Sequence, residues 1–196
     1  GTLYFTANDG ASGSELWKSD GTEAGTVRVK DVVIGSFGSY PHNLTNVGGT
    51  LYFTAAGELW KSDGSEAGTV RVKDIFAGLS SSYPENLTNV NGSLFFKAND
   101  GTSGEELWKS DGTEAGTVRV KDIFAGLGRS YPKNLTNVNG TLFFTANDGV
   151  SGVELWKSDG TEAGTLRVKD IGAGANNSSP ENLTNVSGKL FFTAVA

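Results

Sequence analysis

The chain has 196 residues, of which 37% are apolar and 28 are glycine, so it can pack a core but must turn often, which points to an all-β protein with short elements. With 16 Lys and Arg against 22 Asp and Glu, its net charge of −6 argues against a partner rich in phosphates, so no nucleic acid is expected. Zero Cys excludes disulfides, thiolate zinc sites and Cys nucleophiles, and the short apolar runs exclude a membrane-inserted segment or a signal-peptide core.

In chain order, the predicted elements follow one repeated plan. The tetrapeptide Glu-Leu-Trp-Lys recurs with its Trp at 17, 60, 108 and 156, in steps of 43, 48 and 48. Unit two is short because Thr54-Ala55-Ala56-Gly57-Glu58 lacks the insert present at Asn99 to Gly104. The units cover about 1–32, 43–75, 86–123 and 134–171, followed by closing or surplus strands at 182–194. Unit three shows the strands most clearly: Leu87 to Val90, Leu94 to Ala98, Glu106 to Ser110 and Val118 to Ile123. The pairs Asn91-Gly92 and Asn139-Gly140 mark tight turns, since both residue types tolerate positive φ. Zero Met and a start in mid-motif at Gly1 indicate a piece of a longer protein. Four strands per period of this length fit a β-propeller blade, and the expectation is a single domain over 1–196 with four blades of four-stranded antiparallel sheets.

The run Glu15-Leu16-Trp17-Lys18-Ser19-Asp20-Gly21-Thr22 and its three copies resemble the ELWxxDGT repeat family of bacterial repeat proteins, the second copy carrying Ser65 in place of Thr. The resemblance implies a propeller-like array in large exported proteins, hence an extracellular or cell-surface location, and brings no catalytic residues with it. Closure is uneven. The strand resembling Leu94 to Ala98 occurs five times and the other three types four times each, leaving one surplus C-terminal strand. If Leu183 to Val186 closes the ring on Leu3 to Ala7, then Leu190 to Ala194 hangs at an edge or supports self-association; alternatively the chain is part of a larger ring.

The Trp column (Trp17, Trp60, Trp108, Trp156) reads as packing between adjacent sheets in preference to a set of sugar platforms. Asp20, Asp63, Asp111 and Asp159, in Ser-Asp-Gly-Thr/Ser loops, read as caps for backbone N–H groups, because one Asp and one Glu per loop fall short of a calcium ligand set. No metal and no cofactor are expected. His42 is the sole histidine and has no identifiable partner, and the repeated carboxylates show no asymmetric acid cluster of the kind a hydrolase needs. The Asn-x-Ser/Thr triplets at Asn43, Asn86, Asn134 and Asn182 read as openings of strands more than as glycan acceptors.

For the hairpin after Trp17, matching apolar faces places Trp17 beside Val27 and Val29, with Leu16 and Lys18 sharing the other face with Arg28 and Lys30. Variation between units concentrates on one loop face, where Tyr40, His42, Arg129, Tyr131 and Lys133 are candidate ligand-binding residues. Drift explains the same variation. Arg129 and Lys133 form a local basic pair, so a partner in that sector is expected to carry an anionic group. The function expected is a non-catalytic binding or scaffold module presenting this face to a glycan or protein, with a ligand-free structural spacer as the alternative and a hydrolase behind both.

Overall fold

Alternating apolar residues broken by Gly and Asn produce strands joined by tight turns, and the computed structural model, which describes residues 1–78 and 80–195, contains no helix among the described residues. No helix there is therefore long and apolar enough to cross a membrane. Of the domain expected over 1–196, Leu79 and Ala196 lie outside the described residues. Strands β1 (Leu3–Asn8), β2 (Ser14–Ser19) and β3 (Val27–Lys30) form a first sheet of three strands. The second sheet holds β4 (His42–Val47), β5 (Thr50–Ala55), β6 (Glu58–Ser62) and β7 (Val70–Lys73). The third holds β8 (Glu85–Val90), β9 (Ser93–Asn99), β10 (Glu105–Ser110) and β11 (Val118–Lys121). The fourth holds β12 (Lys133–Val138), β13 (Thr141–Asn147), β14 (Val153–Ser158) and β15 (Leu166–Lys169). A last pair, β16 (Glu181–Val186) and β17 (Lys189–Thr193), completes the chain, and every pairing is antiparallel between sequence neighbours.

The expected four complete sheets are three, because Leu183 to Val186 does not close on Leu3 to Ala7. The β16 strand pairs with β17 through the turn Ser187-Gly188, with φ of 50° and 81°. A two-residue hairpin closes at far lower entropy cost than a contact spanning the whole chain, so the local partner wins. The array of sheets is open.

Successive sheets pack face to face. Leu59, Val72, Ile75 and Tyr52 of the second sheet and its following loop meet Leu94, Phe96, Ala98 and Trp108 of the third. Leu107, Val120, Ile123 and Phe95 repeat that face toward Leu142, Phe144, Ala146 and Trp156 of the fourth. The first three sheets thus present the Leu of Glu-Leu-Trp forward and receive the next sheet's Trp on that same face. Lysines tie the layers further: Lys61 donates to the Gly112 carbonyl at 2.9 Å and Lys73 to the Thr117 carbonyl at 2.8 Å.

The register expected after Trp17 is corrected by a β-bulge. Trp17 stands opposite Arg28 and Leu16 opposite Lys30, with the register shifting between Leu16 and Trp17. The extra residue, Val29, turns to join Leu16 in the apolar layer with Leu51 and Phe53. Arg28, on the Trp17 side, pairs with Asp31 at 3.3 Å.

The first strands lie side by side, β4 by β8, β8 by β12 and β12 by β16. Asn89 donates to the Asn46 carbonyl at 3.2 Å, and Asn137 to the Asn89 carbonyl at 3.1 Å, stitching this row. Asn86 and Asn134, at φ of 58° and 56°, each reach the next loop's proline carbonyl at 3.2 Å, so their amides are structural bridges.

Candidate functional site

The site begins with a glutamate. Glu15, Glu106 and Glu154, directly before Leu-Trp, are fully buried, and Glu58 is nearly so. Each receives the loop that leads to the next sheet: Glu106 accepts N–H groups from Ile123 at 2.9 Å, Phe124 at 3.2 Å and Ser130 at 3.3 Å, and the Ser130 hydroxyl at 2.7 Å. Burial pushes the Glu106 carboxyl up to about 7 despite those donors. Glu58 is raised too, chiefly by burial. At Glu154 burial also pushes upward, but there the Ser178 hydroxyl and the backbone N–H groups outweigh it and hold the carboxyl below its ordinary value.

The serine so clamped opens the motif Ser-Tyr-Pro. Tyr40, Tyr83 and Tyr131 follow it in left-handed backbone, with φ of 50°, 46° and 48°, and Ser179 takes that place in the last copy at 43°. A side chain before proline in this conformation costs on the order of 1–2 kcal/mol that glycine would avoid. The rings are nonetheless exposed, by 66%, 66% and 46%. The loop is pinned while its tyrosine is presented to solvent.

The five predicted ligand-binding residues do not meet in one place. Tyr40 and His42 stand where the first and second sheets adjoin, and the His42 ring is bonded to the Tyr40 carbonyl at 2.9 Å. Tyr131 and Lys133 line a cavity of about 370 Å³ with Thr145, Val153, Pro180 and Glu181. Arg129 lines a different one of about 470 Å³ with Phe76, Tyr83, Asn99 and Glu105. Arg129 also pairs with Glu105 at 3.4 Å, so it forms no basic pair with Lys133 free to take an anion. Tyr83, which sequence reasoning missed, occupies the same Ser-Tyr-Pro motif as Tyr40 and Tyr131; aligning the copies is signal enough to find it.

The third sheet also breaks the symmetry of the array. Where Thr6, Thr54 and Thr145 sit in the other copies it has Lys97, and where Ser14, Gly57 and Val153 sit it has Glu105. The buried Lys97 ammonium lies 2.9 Å from Glu85 and 3.0 Å from Glu105. Burial alone would lower the Lys97 pKa, but hydrogen bonds and charge from both carboxylates raise it above its ordinary value. An asymmetric charged cluster therefore exists where the repeated carboxylates gave no sign of one.

The remaining repeat residues are engaged structurally. Asp20 accepts the Thr22 hydroxyl at 2.7 Å and its N–H at 2.9 Å, and Asp63, Asp111 and Asp159 bond Ser65, Thr113 and Thr161 in the same way. These bonds hold all four carboxyls below the usual carboxylate range. Gly25, Gly68, Gly116 and Gly164 close the loops, and a Cβ at any of them would overlap the aspartate carboxylate. Among the described residues, no three His, Asp or Glu side chains gather as a metal site. Trp108 and Trp156 are buried between sheets, Trp60 packs on the first layer, and Trp17 lies half-buried on the outer face of the first sheet.

No protein-family model matches this sequence, and no curated protein matches it. Among solved structures the chain is similar to prolyl oligopeptidase B from Galerina marginata in its apo form, with a TM-score of 0.49 and 13% identity over 86% of this chain. The match spans 25% of that enzyme's chain.

Proposed function

We propose that this chain is an arc of a β-propeller serving as a non-catalytic binding module of a larger exported bacterial protein. Its Ser-Tyr-Pro loop face engages a glycan or protein partner. The propeller reading is supported by up-and-down sheets that pack in chain order, with their first strands adjacent in one row. The observation that carries the binding reading is the set of three tyrosines, exposed at equivalent positions in a backbone conformation that opposes them. A pure spacer gains nothing from that arrangement. A non-catalytic role is supported by the occupation of the buried carboxylates with backbone N–H groups and of the His42 ring with its own loop.

The test screens the chain against glycan and peptide arrays beside a variant carrying Tyr40→Ala, Tyr83→Ala and Tyr131→Ala, with circular dichroism to compare the two folds. Binding by the parent chain that is lost in the variant supports the module. No binding by either protein, or binding that the three substitutions leave unchanged, favours the spacer.

A further inference from the structure

We propose that the cleft between the Tyr83 loop and the third sheet is a binding site for a neutral pyranose, with Glu105 and Arg129 holding adjacent sugar hydroxyls against the Tyr83 ring. This deepens the binding-module reading and rests on it.

The starting point is an exchange that stability does not explain. In the first two copies a threonine hydroxyl at this position donates to a carbonyl of the next loop, Thr6 to Pro41 at 2.5 Å and Thr54 to Pro84 at 2.6 Å, and in the fourth Thr145 donates to the Lys133 carbonyl on the neighbouring strand of its own sheet at 3.3 Å. The third sheet replaces that neutral bond with the buried Lys97 ammonium, which needs Glu85 and Glu105 to offset its desolvation. Buried ion networks of this sort are close to neutral for stability, so their use lies in fixing geometry. Here Lys97 fixes one oxygen of Glu105, and the other faces Arg129 at 3.4 Å. A carboxylate and a guanidinium are thereby set side by side on the wall of a cavity of about 470 Å³.

The chemistry of that wall selects a ligand class. A vicinal diol can donate one hydroxyl to the carboxylate and accept from the guanidinium with its neighbour, which matches an acceptor beside a donor. Tyr83 and Phe76 add aromatic surface for the apolar face of a sugar ring, and the Asn99 amide supplies a further polar group. Glu85, Lys97, Glu105 and Arg129 sum to zero charge, so the cleft favours a neutral ligand over an anion or a cation, and the chain's net charge of −6 repels polyanions as well. At the next junction, Thr145 and Val153 stand where Lys97 and Glu105 do, and the cavity there is lined by Lys133 and Glu181 without an arginine beside a lysine-held carboxylate.

Titration calorimetry with methyl hexopyranosides, their single deoxy analogues and a hexuronic acid tests the assignment. Two variants take their residues from the fourth copy, which keeps the fold: Lys97→Thr with Glu105→Val, and Arg129→Asn. The expected result is that at least one neutral pyranoside binds the parent chain. Each variant, and removal of one of the paired hydroxyls, should weaken that binding roughly tenfold or more. The proposal is overturned if the uronic acid binds more tightly than every neutral sugar, or if the variants bind the pyranoside as the parent does. It is also overturned if no pyranoside binds at concentrations on the order of 10 mM. In that last case, glycan or peptide binding that still depends on Tyr40 and Tyr131 leaves the module reading intact, whereas binding indifferent to all three tyrosines removes that reading too.

Discussion

Tyr83 occupies a backbone well that its own Cβ disfavours, at φ of 46°, and its ring is 66% exposed. Two truncations separate the strain from the ring: Tyr83→Ala and Tyr83→Gly both delete the aromatic surface, but only glycine releases the left-handed cost. Denaturant unfolding should find the Gly variant more stable than the Ala variant by about 1 kcal/mol, with both equally deficient in binding. Equal stabilities, or a more stable Ala variant, would mean that the backbone there is unstrained. Much of this scale was legible in the sequence, because Asp20 and its copies sit in short Ser-Asp-Gly loops whose hydrogen bonds are local. Lys97 and Glu105 were visible as departures from the repeat, yet their meaning depends on Arg129 arriving beside Glu105 from 24 residues away.

At the scale of the element, the strands and their turns were readable from alternation and from Asn-Gly pairs, whereas the bulge beside Trp17 was not. Both registers bring apolar residues together, and the choice depends on Val29 finding Leu51 and Phe53 on a different sheet. The glutamate clamps escaped notice for a similar reason: one carboxylate among many is marked out only when a loop folds over it. Their pH dependence separates two copies of one motif. The carboxyl of Glu106 is raised from 4.5 to about 7, so its favourable contribution is fully present below about pH 4.5 and is lost as the pH rises through 7. The carboxyl of Glu154 is lowered, so its contribution is present above 4.5 and is lost as the pH falls through its folded value. Unfolding measured from pH 4 to pH 8 should therefore show stability falling with rising pH in the parent chain, a slope that Glu106→Gln lessens, the raised Glu58 carboxyl supplying the rest, and that Glu154→Gln retains. A slope that Glu106→Gln leaves untouched would place the titrating group elsewhere.

For the whole molecule, the order of the strands and sheets followed from the repeat, but the number of complete sheets and their closure did not, because both depend on which partner a strand finds in space. The β16 strand takes its hairpin neighbour and leaves the array open. In an array whose layers touch only their neighbours, identical residues contribute according to their place in the series. Trp108 packs between the second and third sheets with 6% of its surface exposed, while Trp17 belongs to none of the three apolar layers. Replacing Trp108 with Ala should cost about 3–5 kcal/mol, and replacing Trp17 no more than about half of that. The comparison also reports on closure: a ring completed in solution, within one chain or between two, would cover the outer face of the first sheet and bury Trp17 as deeply as Trp108. Equal costs for the two substitutions, with the Trp17 cost falling on dilution if the cover is a second chain, would replace the open array with a closed one.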